Sequence, residues 1–534
     1  MNKLFTILIF LFCQCSYSQS WTRLYGDTLN TFCYQVKEPY DKGYLFVGYQ
    51  ASNTSSISGW LMKTDINGYE RWHKIYGSPS SSSILFGMDR TSDGGMIMTG
   101  QTTMKSNWWS ALVMKINACG ETEWCRIYST PQRQVYGLDI QSVPGGGSIV
   151  MVGNWGYDYS KDLWLLRLDE NGDIVWQQAY ATDTLFYGGE GRQLFRTADT
   201  NFIITGSVYS PDSGQSNPYK SRPLIIKVKP DGTPMFELAW GVSSGFIGSG
   251  WSSVADLKHN LYTGGQLIRT NPPYGKGPCL IKTSKSGTPL FYHDIKDTSS
   301  IGGVTTLDWF NDSTMVLGII YKINGMDTNS IVGAMKIDTI CNELKFKQLL
   351  PQAEQQFTDA EKTFDNKILM VNNEWLVSNW QVYAFKLNPD LEFDSIYTGN
   401  FNYDSLCPHP IVSDTIPLDD CQVVVVGLDD AEKHPEKTKL RIYPNPAGEQ
   451  VTVEMPQYLV KQNQGSGITA TTTYFQWDRT RLDMLNINGK LMFTQEIPKQ
   501  QTTVQINTSA WPAGMYLARI VFMNEVVAEA KIVK

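Results

Sequence analysis

Short apolar or alternating segments, separated by turns rich in Gly, Asp and Asn, run through most of the chain. One unit shows the pattern well: Phe86 to Thr91 and Met96 to Gln101 flank the turn Ser92 to Gly95. After a polar loop, Ser110 to Asn117 and Glu121 to Tyr128 flank a second turn. This pattern is typical of antiparallel strands joined by hairpins. It predicts units of four strands.

The hairpin between the third and fourth strands recurs with fixed spacing. In the stretch Trp60 to Gly77, a basic residue, a turn glycine and an aromatic residue follow each other at offsets of five and then four residues. The five copies are Lys63, Gly68, Trp72; Lys115, Gly120, Trp124; Arg167, Gly172, Trp176; Lys227, Gly232, Phe236; and Lys282, Gly287, Phe291. A second-strand glycine recurs at Gly48, Gly100, Gly153, Gly206, Gly264 and Gly318. Four-stranded repeats of about fifty residues predict the blades of an all-β propeller.

The repeats predict seven blades over residues 19–400, with eight as the alternative. Trp21 to Gly26 repeats the fourth-strand pattern of Trp72 to Gly77 with no first three strands before it. A lone outer strand of this kind can complete the last blade and hide its edge. Glu392 to Tyr397 also has the pattern of a fourth strand for that blade. Two segments therefore compete for one position.

The repeated residues are interpreted as framework. Lys63 and Trp72 lie at equivalent distances from the turn, so they should be cross-strand neighbours, with the ammonium over the indole. A pair that recurs in five units is more typical of a structural element than of a ligand site. The turn Asp65 to Gly68 resembles the start of a calcium loop, but Tyr76 stands where such a loop needs glutamate.

Other candidate chemistry is weak. Gly241 to Gly245 matches G-x-S-x-G, but it lies in a Gly/Ser-rich loop without the strand and helix of a nucleophile elbow. The turn glycine followed four residues later by tryptophan resembles the tryptophan-docking motif of pyrroloquinoline-quinone propellers. The spacing from Asp65 to Gly68 is one residue shorter than in that family, and its adjacent cysteine pair is absent. The resemblance implies docked blades, and no catalytic, cofactor-binding or metal-binding residue is assigned.

Propeller topology indicates where a ligand would bind. Both hairpin turns of a blade lie on one face of the disc, and the second-to-third-strand and inter-blade loops lie on the other. The latter loops vary most in length and carry Trp108, Trp109, Trp155, Tyr157, Tyr159, Tyr209, Tyr219 and Tyr274. Exposed aromatic residues can stack on sugars or anchor a protein, or they can merely pack their own loops. We expect a glycan or protein ligand on this face; the alternative is an extracellular hydrolase or lyase acting on polysaccharide there.

Composition and charge are typical of an extracellular protein. Charged residues are 18% and aromatic residues 12% of the chain, as in turn-rich all-β proteins. The net charge of −7 and the lack of a long basic run disfavour binding to nucleic acid or to anionic membranes. Residues 1–18, with Lys3 before the apolar Leu4 to Phe12, form a predicted signal peptide. No later segment has eighteen uninterrupted apolar residues, so no integral membrane segment is expected.

Seven cysteines remain after signal cleavage, in a compartment where disulfides persist. Cys119 and Cys125 flank one hairpin turn and form the first predicted pair. Cys407 and Cys421 share one irregular stretch and form the second. Cys33, Cys279 and Cys341 are left over.

The repeat pattern stops after residue 400, and residues 401–439 form a connector and polar linker. Residues 440–534 then resemble the type A C-terminal sorting domain of the type IX (Por) secretion system. The resemblance rests on Tyr443, Pro444, Asn445 and Pro446 near its start, the turn at Gly489, the step from Gly514 to Tyr516, and the basic end from Lys531.

This resemblance implies a small immunoglobulin-like β-sandwich that is recognised by the type IX secretion machinery of Bacteroidetes. The protein would then pass through the periplasm and be secreted or fixed to the outer cell surface. The linker before residue 440 is where such a domain would be removed. Residues 21–400 also resemble the propeller cargo that commonly precedes this domain, a group with no single activity to carry over.

Overall fold

The computed structural model describes residues 20–534 with gaps at 27–28, 52–55, 79, 106–107, 131–133, 156–160, 181–186, 212–218, 242–246, 270–274, 297–299, 324–329, 354–356, 377–378, 427–439, 455–479, 488, 498–500, 502 and 523–524. The described residues form strands, and among them there is no helix that is long and apolar enough to cross a membrane. The chain divides into two units, residues 1–426 and residues 427–534.

Seven sheets of the first unit each contain a four-stranded antiparallel meander, here called a blade. Blade 1 contains β2 (Thr31–Lys37), β3 (Tyr44–Ala51), β4 (Ile57–Thr64) and β5 (Glu70–Tyr76). Blade 2 contains β6 (Ser83–Arg90), β7 (Met96–Thr102), β8 (Ser110–Ile116) and β9 (Thr122–Ser129). Blade 3 contains β10 (Gln134–Ser142), β11 (Ser148–Trp155), β12 (Lys161–Leu168) and β13 (Ile174–Tyr180). Blade 4 contains β14 (Tyr187–Arg196), β15 (Phe202–Pro211), β16 (Tyr219–Val228) and β17 (Pro234–Ala239).

The remaining three blades follow the same order. Blade 5 contains β18 (Ile247–Ala255), β19 (Leu261–Arg269), β20 (Gly275–Thr283) and β21 (Pro289–Asp294). Blade 6 contains β22 (Ser300–Asn311), β23 (Thr314–Ile323), β24 (Ser330–Asp338) and β25 (Glu343–Ala353). Blade 7 contains β26 (Phe357–Lys362), β27 (Ile368–Leu376), β28 (Asn379–Leu387) and the N-terminal β1 (Thr22–Tyr25). The first strands of successive blades contact one another, and β26 contacts β2, so the sheets close a ring.

The N-terminal strand closes this ring, as its sequence pattern predicts. Strand β1 pairs antiparallel with β28, from Thr22 opposite Phe385 to Tyr25 opposite Val382. The competing prediction, a fourth strand over residues 392–397, is wrong. That segment makes only isolated bridges, one from Phe393 to Leu387 and one from Ser395 to Ser20. The edge of β28 is already occupied by β1, so no second strand can pair there.

The turn glycines dock neighbouring blades. The Tyr76 hydroxyl in blade 1 donates to the Gly120 carbonyl in blade 2 over 3.1 Å. A Cβ atom on Gly120 would lie only 3.2 Å from the Trp72 ring, and the φ angle of Gly120 is +76°. The positive φ angle therefore favours glycine at this position, and a side chain there would also press on the Trp72 ring. The same tyrosine contact recurs at Gly68, Gly172 and Gly232.

Glycine recurs on the second strands for a different reason. Each inner strand carries a β-bulge at the corresponding place, between Cys33 and Gln35 in blade 1. A bulge locally disrupts the ladder and bends its strand. In blade 1 the Phe32 carbonyl oxygen would lie 1.7 Å from a Cβ atom on Gly48. At Gly48, Gly100 and Gly206 the glycine thus leaves room for a carbonyl of the bulged strand, whereas at Gly153 and Gly264 a Cβ atom would meet side chains.

The repeated basic residues are ion-paired framework. Lys63 lies opposite Trp72 as predicted, with its Nζ 5.9 Å from the ring centroid. Its shortest contact, however, is 2.7 Å to Asp41 Oδ2 in the first hairpin of the same blade. Equivalent pairs are Lys115 with Asp93, Lys227 with Asp199 and Lys386 with Asp365. The aspartate partner is a feature that the cross-strand argument alone did not predict.

The described part of the connector, residues 401–426, fastens onto the rim of blades 1 and 2. Its strand β29 (Asp414–Ile416) pairs parallel with β5, and β30 (Gln422–Val425) pairs parallel with β9. Two disulfides, Cys119–Cys407 and Cys125–Cys421, join it to blade 2.

The predicted disulfides Cys119–Cys125 and Cys407–Cys421 are therefore wrong, although the four cysteines involved are the predicted ones. Cys125 lies opposite Met114 in the hairpin, whereas Cys119 lies within the turn, so the two do not face each other. Cys33, Cys279 and Cys341 are buried and take part in neither disulfide.

The second unit has two sheets around one apolar core. One contains β31 (Arg441–Tyr443), β32 (Gln450–Glu454) and β35 (Thr503–Asn507); the other contains β33 (Thr480–Asn486), β34 (Leu491–Glu496), β36 (Met515–Phe522) and β37 (Glu525–Val533). The core includes Val453, Leu482, Ile506 and Ile520. The Asn445 side chain accepts from the Val533 N–H and donates to the Lys531 carbonyl. This asparagine thereby ties the start of the domain to its last strand.

Candidate ligand-binding face

Side chains on the inner strands hold each blade to the next. Directly after the bulge, an amide or carboxylate oxygen accepts a hydrogen bond from a backbone N–H of the following blade. The four examples are Gln35 to Met88, Asp139 to Leu194, Gln193 to Ser253 and Asp359 to Val36. These bonds satisfy buried backbone donors that no strand pairing between blades could satisfy.

A second set of acceptors lies further along the same strands. Asp89 accepts from the Ser142 N–H, Asp308 from Lys362 and Glu361 from Glu38. Glu361 is also paired with Lys37 at 3.0 Å and with Arg90 at 3.3 Å. The ends of the inner strands in blades 7, 1 and 2 therefore carry a concentrated group of charges.

Some of these carboxyls have the pKa expected of a general acid. Burial raises the pKa of Asp139 and of Asp308 to about 6 and that of Asp359 to about 7. Nearby Lys37 lowers the pKa of Asp139 and Asp359 in part. Perturbed carboxyls are often catalytic, but ion-pair and hydrogen-bond networks perturb them as well. Gln35 and Gln193 accept the same hydrogen bond at equivalent positions. Because an amide cannot act as a general acid, the role that these positions share is hydrogen-bond acceptance.

Replacing Asp139 by asparagine should change how stability depends on pH. The folded-state pKa is raised, so the carboxyl contributes most to stability below about pH 4 and loses that contribution as the pH rises through 6. The asparagine amide does not titrate. The free energy of unfolding of D139N, relative to that of the wild type, should therefore rise by about 2–3 kcal/mol between pH 4 and pH 8. Urea denaturation at several pH values measures this change.

The control is Gln193→Ala, which removes the equivalent acceptor in blade 4. Its cost, about 1–3 kcal/mol for an unsatisfied N–H, should be the same at every pH. If the free energies of unfolding of D139N and the wild type changed with pH in parallel, burial would not raise the pKa of Asp139.

The opposite ends of the inner strands carry a cluster of aromatic rings, here called the aromatic platform. It connects blades 7, 1 and 2 and consists of Phe32, Tyr34, Tyr49, Phe86, Trp375 and Trp380. Phe32 and Tyr49 are nearly parallel, at 4° and 5.6 Å between centroids. Tyr34 reaches the next blade and meets Phe86 at 4.7 Å. Trp380 lies 5.7 Å from Phe32 and 5.3 Å from Trp375.

Backbone geometry places these rings together. Tyr34 and Phe86 are the extra residues of the bulges in blades 1 and 2, and bulges re-aim a side chain in this way. Phe32 and Tyr49 are opposite each other on β2 and β3, and Trp375 is opposite Trp380 on β27 and β28. The last pair flanks a second-to-third-strand loop. The platform therefore lies on the face that topology predicted for a ligand.

The platform is open to solvent. Trp375 is 40% exposed and the other five rings are half-buried. Within the described part of the chain, the hydroxyl groups of Tyr34 and Tyr49 have no hydrogen-bond partner. Burial raises the pKa of both phenols, so both remain protonated donors at physiological pH. The site thus combines flat apolar surfaces with two available hydroxyl groups.

A second aromatic cluster, on the hairpin face, is already used by the fold. Phe364, Tyr397, Phe401 and Tyr403 contact one another there. The Tyr403 hydroxyl accepts from the Ile66 N–H, and these contacts seat the connector on blade 1. The connector of the same chain therefore covers this second cluster.

The aromatic residues predicted from the loops are only partly described. Trp108 and Trp109 are half-buried between β7 and β8, and the Trp109 carbonyl accepts from the Val135 N–H. Tyr209 is half-buried on β15. Trp155 and Tyr219 lie on β11 and β16 with side chains outside the described set, and Tyr157, Tyr159 and Tyr274 lie outside the described residues.

The sequence-based prediction did not include the platform, because it was confined to aromatic residues in loops. Tyr34 and Phe86 are the bulge residues of blades 1 and 2. At the same position, blades 3 and 6 have Leu138 and Thr305. Comparison of that position across the repeats could have found them. Among the described residues, no group of three or more His, Cys, Asp or Glu side chains could hold a metal ion.

These features define an all-β protein with a β-propeller unit followed by a separate two-sheet unit. Residues 441–534 match the family model for the secretion system C-terminal sorting domain. The second unit is therefore a type IX sorting domain. A protein with this domain is delivered to the cell surface or the extracellular space.

Solved structures similar to the chain include β-propellers of low sequence identity. Polysaccharide lyase Uly1 is 9% identical, with a TM-score of 0.44 over 70% of this chain and 93% of that one. The β-propeller domain of the Trilobed protease from Pyrococcus furiosus is 9% identical, with a TM-score of 0.37 over 69% of this chain and all of that one. A protein of unknown function from Dyadobacter fermentans is 9% identical, with a TM-score of 0.41 over 58% and 95%. A search of curated protein sequences found no match to the chain.

Proposed function

We propose that this protein is a non-enzymatic binding or adhesion protein that acts outside the cell. Its sorting domain delivers the propeller, and the propeller holds a ligand on the loop face. The observation that carries this proposal is the aromatic platform, whose rings are half-buried or exposed and whose two phenols have no described partner. Aromatic side chains of this kind provide contact area at low entropic cost.

The alternative, a hydrolase or lyase acting on polysaccharide, needs an acid and a base that are available to substrate. The inner-strand carboxylates have suitable pKa values, but their oxygens accept backbone N–H groups of the next blade. Asp308 also lies near the hairpin-face end of its inner strand, away from the aromatic platform. This arrangement favours binding over turnover.

The test measures retention and turnover in the same samples. The purified full chain is incubated with neutral and acidic extracellular polysaccharides and with cell-surface protein extracts. We expect the protein to be retained on a ligand without new reducing or unsaturated chain ends. New chain ends that disappear in Asp359→Asn or Glu361→Gln would contradict the proposal, because these variants keep an acceptor oxygen but cannot transfer the proton.

A further inference from the structure

The aromatic platform is uncharged throughout. Its six members are phenylalanine, tyrosine and tryptophan, and the polar groups they offer are two phenolic hydroxyls and the indole N–H groups. Among the neighbouring side chains at the same strand ends, Thr31 is buried and accepts from the Gln50 amide. Glu374, which precedes Trp375 on β27, is acidic and only 5% exposed. An anionic polymer needs Lys or Arg for charge-assisted contacts. In the three blades that carry the platform, the basic residues Lys37, Arg90 and Lys362 of the inner strands lie at the hairpin-face ends.

The geometry of the platform suits a row of flat rings. Its members run from Trp375 through Trp380 and Phe32 to Tyr34 and Phe86, with 4.7 to 5.7 Å between neighbouring centroids. The rings are tilted against each other by 44° to 76° along this row. A protein interface usually adds arginine anchors and a closed apolar core to its aromatic residues. A row of tilted, half-exposed rings instead offers successive separate faces.

We infer that the ligand is a neutral carbohydrate chain whose pyranose rings stack on this row. The C–H groups on one face of a pyranose carry partial positive charge and suit the negative face of an aromatic ring. The equatorial hydroxyls of the sugar can accept hydrogen bonds from the hydroxyls of Tyr34 and Tyr49. This inference rests on the proposed function, since it names the ligand of the same face.

The experiment measures the affinity of the full chain for hexasaccharides by titration calorimetry. The probes are neutral β-glucan and mannan fragments, with oligogalacturonate as the acidic comparison. We expect binding to a neutral probe that is insensitive to salt. The double variant W375A/W380A should weaken it about tenfold or more, since stacked rings contribute about 0.5–1.5 kcal/mol each beyond burial.

The matched control is Phe364→Ala. Phe364 is 43% exposed and Trp375 is 40% exposed, but Phe364 lies in the hairpin-face cluster. It should leave affinity unchanged. Preference for the acidic probe, or neutral binding unaffected by W375A/W380A, would overturn the inference. Failure to bind any neutral probe, together with W375A/W380A-sensitive binding to surface protein, would overturn the ligand class while leaving the proposed binding function intact.

Discussion

Replacing Lys63 by methionine should destabilise the propeller by about 3–5 kcal/mol, the cost of breaking one side of a buried ion pair. The Lys63 and Asp41 side chains are each 1% exposed, with 2.7 Å between Nζ and Oδ2. Methionine fills most of the volume of lysine but leaves the Asp41 carboxylate buried without its cation. Asp404, which also contacts Lys63, would lose a partner as well. Urea denaturation of the full chain, followed by tryptophan fluorescence, measures the loss.

The matched control is Lys115→Met at the same position of blade 2. Lys115 Nζ is 2.6 Å from Asp93 Oδ2, but the Asp93 side chain is 48% exposed. Water can solvate the orphaned carboxylate, so the expected loss is below about 1 kcal/mol. Similar losses in the two variants would show that burial of the pair does not determine its contribution.

These two lysines show how far local spacing predicts the fold. The offsets from Lys63 to Gly68 and from Gly68 to Trp72 are sufficient to place lysine and tryptophan opposite each other, and the register confirms it. The partner Asp41 lies 22 residues earlier in another hairpin, where no short-range spacing could identify it. The recurring second-strand glycine was visible in the sequence. At Gly48, Gly100 and Gly206 its cause is a carbonyl on the bulged adjacent strand, a pairing irregularity that sequence patterning does not encode.

Contacts that depend on ring closure were beyond sequence reasoning. Cys119 and Cys407 are 288 residues apart, and they meet only because the last blade returns beside the first. The predicted pairs were wrong because they joined cysteines that are near in sequence. The aromatic platform has the same origin, since Trp380 and Phe32 come from blades 7 and 1. The platform lies on the face that connectivity alone indicates, and ligand binding there stays a prediction.

Both ends of the propeller are fastened before the linker begins. Strand β1 completes blade 7, and the connector is held by two disulfides and two parallel strand pairs. All of these contacts lie within residues 1–426, which also form one compact unit. The contacts that close the ring, as far as the structure describes them, therefore involve residues of the first unit. Folding and export should then be separable by truncation.

Removing residues 440–534 should abolish delivery to the cell surface and leave the propeller in the periplasm. The removed segment is the one that matches the sorting-domain family, and no other part of the chain is assigned to the secretion machinery. Immunoblots of periplasmic, surface and medium fractions measure the distribution. We expect the truncated chain in the periplasmic fraction and the full chain outside the cell.

The truncation must be distinguished from a folding defect, because a misfolded cargo would also fail to reach the surface. The truncated chain should keep both disulfides, Cys119–Cys407 and Cys125–Cys421, and resist protease as the full-length propeller does. Ile487→Ala is a control within the sorting domain, since that side chain is 79% exposed and packs little; it should be delivered as the wild type is. Normal surface delivery of a folded truncation would contradict the role of the C-terminal unit, because a propeller closed by its own ends would then carry its own export signal.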